Sequence, residues 1–424
     1  MRDEGFRSVG ESRNVVVIGG GVSGMTAAVE AAEAGAEVLL VESGDILGGR
    51  MMGMNKYFPK LDSPTAGLDV HLRRIRRNPR ITALTNSDAI SITGTRGDFT
   101  VELVLKPDFV NDRCNGCDKC AEVCPAEVED KFNYGMNKTK AIRKPPFGGS
   151  RHLLDGQACL APACGGCAEI CPEKAIDLGE QPRTASVRTE CVVVATGWEP
   201  FDAGLVPHLG FGAVPNVINN VQMERLVAPN GPTGGQIIRP SDSGKPNHVA
   251  FVQCAGSRDE KHLPYCSMVC CMVSLKQAVY VRDAHPDASI VVVYTELTDP
   301  SPGRYDKFLE KVVDDDNIRY LKGKVAAVSE NKATGGVTVE VKKPSGAVEK
   351  FDTDMVVLAT GMVPSILSEV LKEAVVLDKH GFMDPQVQKE GVYVIGTAKT
   401  PLDVTSSMLD AAGAALRTTQ RIRQ

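Results

Sequence analysis

Cys114, Cys117, Cys120 and Cys124 stand in the spacing C-x2-C-x2-C-x3-C and are followed by Pro125. This spacing lets a loop and a single helical turn offer thiolates to an iron–sulfur cubane, and few other sites use it. A second run, Cys159, Cys164, Cys167 and Cys171 followed by Pro172, differs only in its longer first gap. In two-cluster arrangements of this kind the fourth cysteine of each run ligates the other cluster. Cys114, Cys117, Cys120 and Cys171 are therefore expected at one 4Fe–4S centre, and Cys124, Cys159, Cys164 and Cys167 at a second. Zinc is the competing reading, but zinc knuckles are paired CxxC units without the closing Cys-Pro.

A third group, Cys254, Cys266, Cys270 and Cys271, lies in QCAGSRDEKHLPYCSMVCCM. Its spacing is unusual, with two cysteines adjacent, and fits either a third cluster or a set of buried, inert thiols. Of the 13 cysteines in the chain only Cys191 stands apart, directly before an apolar strand, where it reads as a core residue. The opening MRDEGFRSVGESRN is polar and lacks the apolar segment of a secretory leader, so a cytoplasmic location is expected. Thiols are kept reduced there, and clustered cysteines read as metal ligands rather than disulfides.

The second chemical signal is NVVVIGGGVSGMTAAVEAAEAGAEVLLVES: a strand, a glycine turn, an alanine-rich helix and a second strand ending at Glu42. Gly19, Gly21 and Gly24 make GxGxxG in that context. The first permits the tight turn, the second lets a pyrophosphate approach the backbone, and the third allows close helix packing. The helix N-terminus supplies the positive end of a dipole, and Glu42 is placed to accept ribose hydroxyls. Further on come LGGRM with Gly49 and Arg50, an ATG turn with Thr196 and Gly197, a second ATG, and VYVIGTA with Gly396 and Thr397. This order resembles the two-dinucleotide-binding-domain flavoproteins of the thioredoxin-reductase-like superfamily. The resemblance implies FAD, with Thr397 standing where an Asp is usual. A helix beginning near Val404 would aim its N-terminus at the flavin.

These sites require elements to position them. With 424 residues the chain is long enough for two or three cores. Its 42% hydrophobic and 24% charged residues are ordinary for a globular protein, and its net charge of -5 gives no footprint for nucleic acid. No run of about 18 apolar residues could cross a bilayer, so no direct membrane span is expected. The fold class is α/β, a Rossmann-type two-dinucleotide-binding-domain flavoprotein with an inserted ferredoxin-like 4Fe–4S domain. The expected division is an FAD-binding domain in three pieces (12–106, 181–245 and 351–424), the insert at 107–180, and a second α/β domain at 246–350. Strand signals at 191–197, 355–361 and 392–396 suggest one sheet gathered from distant segments, with the insert at the tip of an antiparallel meander. Helices are expected from Tyr265 to Asp283 and around Tyr305 to Val313, and an antiparallel flap at GVTVEVKKPSGAVEKF.

Cys254-Ala255-Gly256-Ser257 stands where a pyridine-nucleotide enzyme carries its second GxGxxG, so an NAD(P)H site is not expected there. No dithiol pair sits beside the flavin segments outside the cluster runs, which argues against a disulfide-reductase cycle. No side chain stands out as a catalytic acid, base or nucleophile. What remains is electron relay between flavin and clusters.

Taken together, LGGRM with NKYFPKLD, the cysteine-rich insert before ATG, QCAGSRD with YCSMVCC, and VIGTAKTPLDV resemble the A-type flavoprotein component of heterodisulfide reductases. Within that family the short form resembles the corresponding component of quinone-interacting membrane-bound oxidoreductase complexes. The resemblance implies FAD, two 4Fe–4S clusters in the insert and a third at Cys254, Cys266, Cys270 and Cys271. It also implies partners: a haem-containing membrane subunit, together with a second flavoprotein or iron–sulfur protein. Such a complex would sit on the inner face of the cytoplasmic membrane and link the quinone pool to adenylylsulfate reductase. A bifurcating component of heterodisulfide-reductase type, or a structural one with a vestigial flavin, are the alternatives. Ser63-Pro64-Thr65-Ala66-Gly67 departs from the family in carrying no cysteine after FPKLD.

Overall fold

In a computed structural model of the chain, the described residues are 12–57, 60–298, 303–365, 371 and 374–422; Phe58 and Pro59 of NKYFPKLD lie outside them. The apolar run before the glycines forms β1 (Arg13–Ile18), the alanine-rich stretch forms α1 (Val22–Glu33), and VLLV forms β2 (Val38–Val41). β1 pairs in parallel with β2, and β2 with β3 (Ile81–Leu84). Val15, Val17 and Leu40 pack with the alanines of α1, while Val16, Leu39 and Val41 pack on the opposite face. Burial on both faces is why these strands are continuously apolar rather than alternating.

β4 (Ser87–Thr95) and β5 (Asp98–Leu105) form a hairpin on the same sheet. β6 (Arg183–Val194) then serves two structures. Its first half pairs antiparallel with β5, and its second half runs parallel to β1 through Val15↔Cys191. The expected meander is therefore present, and the cysteine-rich segment departs between Leu105 and Arg183, at its tip.

That segment is built of small pieces. Two short helices, α2 (Lys119–Val123) and α3 (Gly166–Ile170), pack together beside two two-stranded ladders. Its core holds little besides Val110, Ile142, Cys120 and Cys167. So few apolar side chains supply little burial energy, and domains this poor in core draw their order from bound metal or cross-links.

A second sheet runs in the order β7 (Val217–Asn219), β11 (Met355–Thr360), β8 (His248–Ala255), β9 (Ser289–Tyr294), β10 (Ile318–Lys322), all parallel. This corrects the expectation of one sheet. β6 and β12 (Val392–Val394) do share the first sheet, but β11, from the 355–361 signal, lies inside the second. All three are short apolar strands, alike as patterns, and only their partners distinguish them. β7, from the 181–245 piece, also joins the second sheet, and α4 (Asn220–Val227) from the same piece packs against it. The flap hairpin is present as Gly336–Lys342 and Val348–Thr353, with a third strand, Lys324–Asn331, alongside. α5 (Cys270–Ala284) starts at Cys270 rather than Tyr265. Met268 sits at φ 63, where an L-residue resists helix, and its N–H turns 3.3 Å from Cys266 Sγ.

Candidate functional site

A cavity of about 840 Å³ opens beside the glycine turn, lined by residues of both sheets and of the insert. This is within the size range of cofactor sites. Gly19, Gly21, Glu42, Gly49, Arg50, Thr196, Gly197, Thr397 and Val404 all border it; Gly24 and Gly396 lie behind the wall. A Cβ on Gly24 would overlap the Gly19 carbonyl, so this glycine lets α1 pack onto the strand. Gly21 is different: a Cβ there would meet nothing nearer than 4.0 Å, leaving open space over the helix start. That space is the cradle a pyrophosphate needs.

The two oxygens of Glu42 accept the N–H groups of Gly20 (2.6 Å) and Gly44 (2.7 Å), which fixes the carboxylate at the end of β2. Thr196 Oγ1 is buried at the cavity without a hydrogen-bond partner among the described residues, a polar atom fitted to a bound group. Arg50 is committed to protein: its Nε donates to the Trp198 carbonyl (2.6 Å), Nη1 reaches the Tyr134 hydroxyl (3.1 Å), and it pairs with Glu199. It therefore bridges the cavity wall to the insert.

α6 (Val404–Ile422) points its N-terminus into the cavity, where Asp403 caps it, accepting the Ser406 N–H at 2.6 Å. Tyr305 Oη donates to the same carboxylate at 2.5 Å and Arg304 pairs with it at 3.1 Å. Burial opposes the charge on Asp403, but these donors outweigh it and hold its pKa below the ordinary carboxylate value.

The structure groups the cysteines as three sets. Cys114, Cys117, Cys120 and Cys171 line one small pocket with buried His152, whose Nδ1 lies 3.7 Å from Cys114 Sγ. Cys167 has Cys159, Cys124 and Cys164 as charge neighbours. Cys270 has Cys271, Cys254 and Cys266. Burial is the first cause that raises the thiols of Cys120 and Cys254, each to about 11, and it pushes Cys270 up as well. Such neutral thiols become thiolates on binding metal. Among the described residues no three ligating side chains converge as on a single ion. A cubane asks for a wider set, because each thiolate binds a different iron.

The third set adjoins the cavity. Cys270 lines it, and its thiol lies 3.6 Å from the Thr360 carbonyl. Lys276, six residues further along α5, and Glu224 of α4 line it too, as an ion pair at 3.0 Å with side chains only 3% and 6% exposed. Sequence patterns give no sign of this pair, since Glu224 and Lys276 stand among other charged residues of their helices and read as parts of solvated faces. Asp403 and Tyr305 are likewise visible only in three dimensions.

Similarity to known proteins agrees with this architecture. A family model described as FAD dependent oxidoreductase matches residues 14–66, the segment that carries the glycine turn and Glu42. The fold is that of thioredoxin reductases: the enzyme of T. acidophilum superposes with a TM-score of 0.53 at 15% identity, covering 97% of this chain and 99% of that one. The Lactococcus lactis enzyme gives 0.54 at 12%, covering 97% and 99%. In sequence, the chain is 35% identical to the A component of the ferredoxin/F(420)H(2)-dependent CoB-CoM heterodisulfide reductase of Methanosarcina acetivorans, covering 96% of this chain and 53% of that protein. It is 35% identical to an iron–sulfur A component of the CoB–CoM heterodisulfide reductase of Methanopyrus kandleri, covering 95% and 63%. The corresponding protein of Methanocaldococcus jannaschii gives 31%, covering 98% and 65%. Across these relatives the chain spans between about half and two thirds of their length. With the glycine cavity, the thioredoxin-reductase fold and this similarity along nearly all its residues, the chain is a flavoprotein similar to the A components of heterodisulfide reductases.

Proposed function

We propose that the chain is an oxidoreductase subunit that relays electrons between FAD and iron–sulfur centres. The observation that carries this reading is the shared wall: the cavity lined by Gly19 and Gly21 is also lined by Cys270 of the third cysteine set and by Phe132 and Tyr134 of the insert. When bound, FAD exchanges electrons in pairs and 4Fe–4S clusters exchange them singly. The chain's own residues then have distinct tasks. Gly19, Gly21 and the start of α1 receive the pyrophosphate, and Glu42 takes the adenosine ribose. Gly49, Arg50, Thr196, Gly197, Gly396, Thr397 and the Val404 helix end shape the flavin half. The insert is read as a ferredoxin-like domain with one cluster on Cys114, Cys117, Cys120 and Cys171 and another on Cys124, Cys159, Cys164 and Cys167. Cys254, Cys266, Cys270 and Cys271 hold a third.

For physiological role, the favoured reading is the subunit that links the quinone pool to adenylylsulfate reductase, held peripherally at the inner face of the membrane by a haem-containing partner and a second flavoprotein. Among the described residues no helix is long and apolar enough to cross a membrane. The names of the relatives favour a second reading, a heterodisulfide-reductase-type subunit; in that reading it would divide electron pairs. Co-purification separates them: a haem-bearing membrane protein supports the first, and hydrogenase or formate-oxidising partners the second. The cofactor reading itself is tested on anaerobically purified protein. One FAD and about 12 iron atoms per chain are expected; about eight would remove the third centre.

A further inference from the structure

Cys254 lies between two polar side chains, Gln253 and Arg258, that the relay leaves without a task. Gln253 is 6% exposed, and neither its amide nitrogen nor its amide oxygen has a hydrogen-bond partner among the described residues. An orphaned buried amide is destabilising, so a core position with no ligand to serve would favour an apolar residue. Its direction follows from the strand. Along β8, Val249 and Phe251 pack with Cys271, Met272 and Leu275 of α5, whereas Ala250 and Val252 pack on the flap side. By strand alternation Gln253 belongs to the α5 row, the side on which Cys271 lies. The ladder slips at this point: Val252 pairs with Leu358 and Ala255 with Thr360, so Gln253 and Cys254 together oppose Ala359, with Cys254 at φ 56. Bulges of this kind re-aim side chains next to functional sites.

Arg258 lies further along the same segment. Its N–H donates to the Tyr265 carbonyl at 3.1 Å, which brings it against Cys266, and its guanidinium pairs with Glu296 and donates to Thr298 Oγ1 at 2.9 Å. Thr298 in turn points its N–H at Cys271 Sγ (3.4 Å), as Met268 does at Cys266 Sγ (3.3 Å). The Arg258 guanidinium has Cys266 and Cys254 as charge neighbours, after Glu296.

We propose that Gln253 and Arg258 are positioning residues of the third centre, which would donate hydrogen bonds to its sulfur and thereby raise its reduction potential. This rests on the reading that Cys254, Cys266, Cys270 and Cys271 hold a cluster. Donors to cluster sulfur stabilise the more negative, reduced form, so their removal makes the centre harder to reduce. Neither the amide nor the guanidinium needs to gain or lose a proton to donate.

The test is an EPR-monitored redox titration of the full chain with FAD and clusters in place, comparing wild type with Gln253→Leu, Arg258→Met and Arg258→Lys. The leucine is close in volume and removes the orphan, so the metal-free Gln253→Leu protein is expected to melt no lower than wild type. In the loaded protein the third centre's midpoint should fall in Gln253→Leu and in Arg258→Met, less so in Arg258→Lys, while the insert centres and the flavin stay where they were. An unchanged third midpoint in Gln253→Leu with a raised melting temperature of the metal-free protein would overturn the role of Gln253 and mark it as a packing fault. An unchanged midpoint in Arg258→Met would do the same for the arginine. A wild-type protein with about eight iron atoms and no third signal would overturn the underlying cluster reading, and the inference with it.

Discussion

The Lys276 ammonium and the Glu224 carboxylate meet at 3.0 Å inside the protein, on the wall of the cavity that the glycine turn also lines. Gln277 Nε2 donates to the same carboxylate at 2.7 Å, the Asn55 N–H at 3.0 Å, and Lys276 Nζ also reaches the Lys56 carbonyl at 2.6 Å. The pair thus ties α4 and α5 of the second sheet to the 55–56 loop of the first.

Because both charges are buried, removing one leaves the other uncompensated. Lys276→Met and Glu224→Leu should each cost about 3–5 kcal/mol, and the double variant less than the sum of the two. Denaturant titration of the three proteins checks this. Equal and additive losses would mean that the charges do not interact.

Gly21 and Gly24 separate flavin binding from folding. Gly24→Ala places a methyl group against the Gly19 carbonyl and should lower the melting temperature as well as flavin content. Gly21→Ala meets no protein atom, so the melting temperature of the flavin-free protein should hold while FAD affinity falls about tenfold or more, some 1.4 kcal/mol at least. Bound flavin absorbance and thermal melts read the two effects independently.

Arg225 pins the insert. It is fully buried, donates from Nε to Asn133 Oδ1 at 2.9 Å and from Nη2 to Asn230, and stacks 4.4 Å over the Phe132 ring. Lysine cannot reproduce the fork or the stacking. Arg225→Lys should lose about 2–3 kcal/mol and should speed proteolysis within residues 107–180 ahead of the rest of the chain. Cleavage spread evenly would contradict that placement.

Asp403 should make stability sensitive to acid. Its folded pKa is depressed, so its contribution is full above the unfolded value of about 4 and is lost as pH falls through the folded one. Asparagine caps a helix about as well as aspartate, so Asp403→Asn keeps the cap and removes only the charge. In Asp403→Asn the difference from wild type should therefore be present at neutral pH and shrink below about pH 4, as followed by thermal melts across that range.

Cys191 is buried at 3% exposure between β1 and β12, outside the three cysteine sets. Cys191→Ala should leave iron content unchanged at a cost of about 1–2 kcal/mol, whereas Cys266→Ala should remove about four iron atoms. Loss of iron in the first variant would refute its reading as a core residue.

Much of this protein is local, and for that reason the sequence by itself determined it. The GxGxxG turn, the β1–α1–β2 unit with Glu42 at its end, and the cysteine runs are short-range spacings whose chemistry depends on neighbours a few residues away. The meander that carries the insert was legible from period-two alternation in β5 and β6. Tertiary structure decided which sheet each apolar strand joins, because β6, β11 and β12 are alike as patterns and differ only in their partners. It also decided that Cys270 faces the glycine cavity, that Glu224 meets Lys276, and that Asp403 meets Tyr305. Those contacts join residues from about 50 to 250 positions apart. Only packing across the two sheets brings such residues together, since no local periodicity couples side chains over that span.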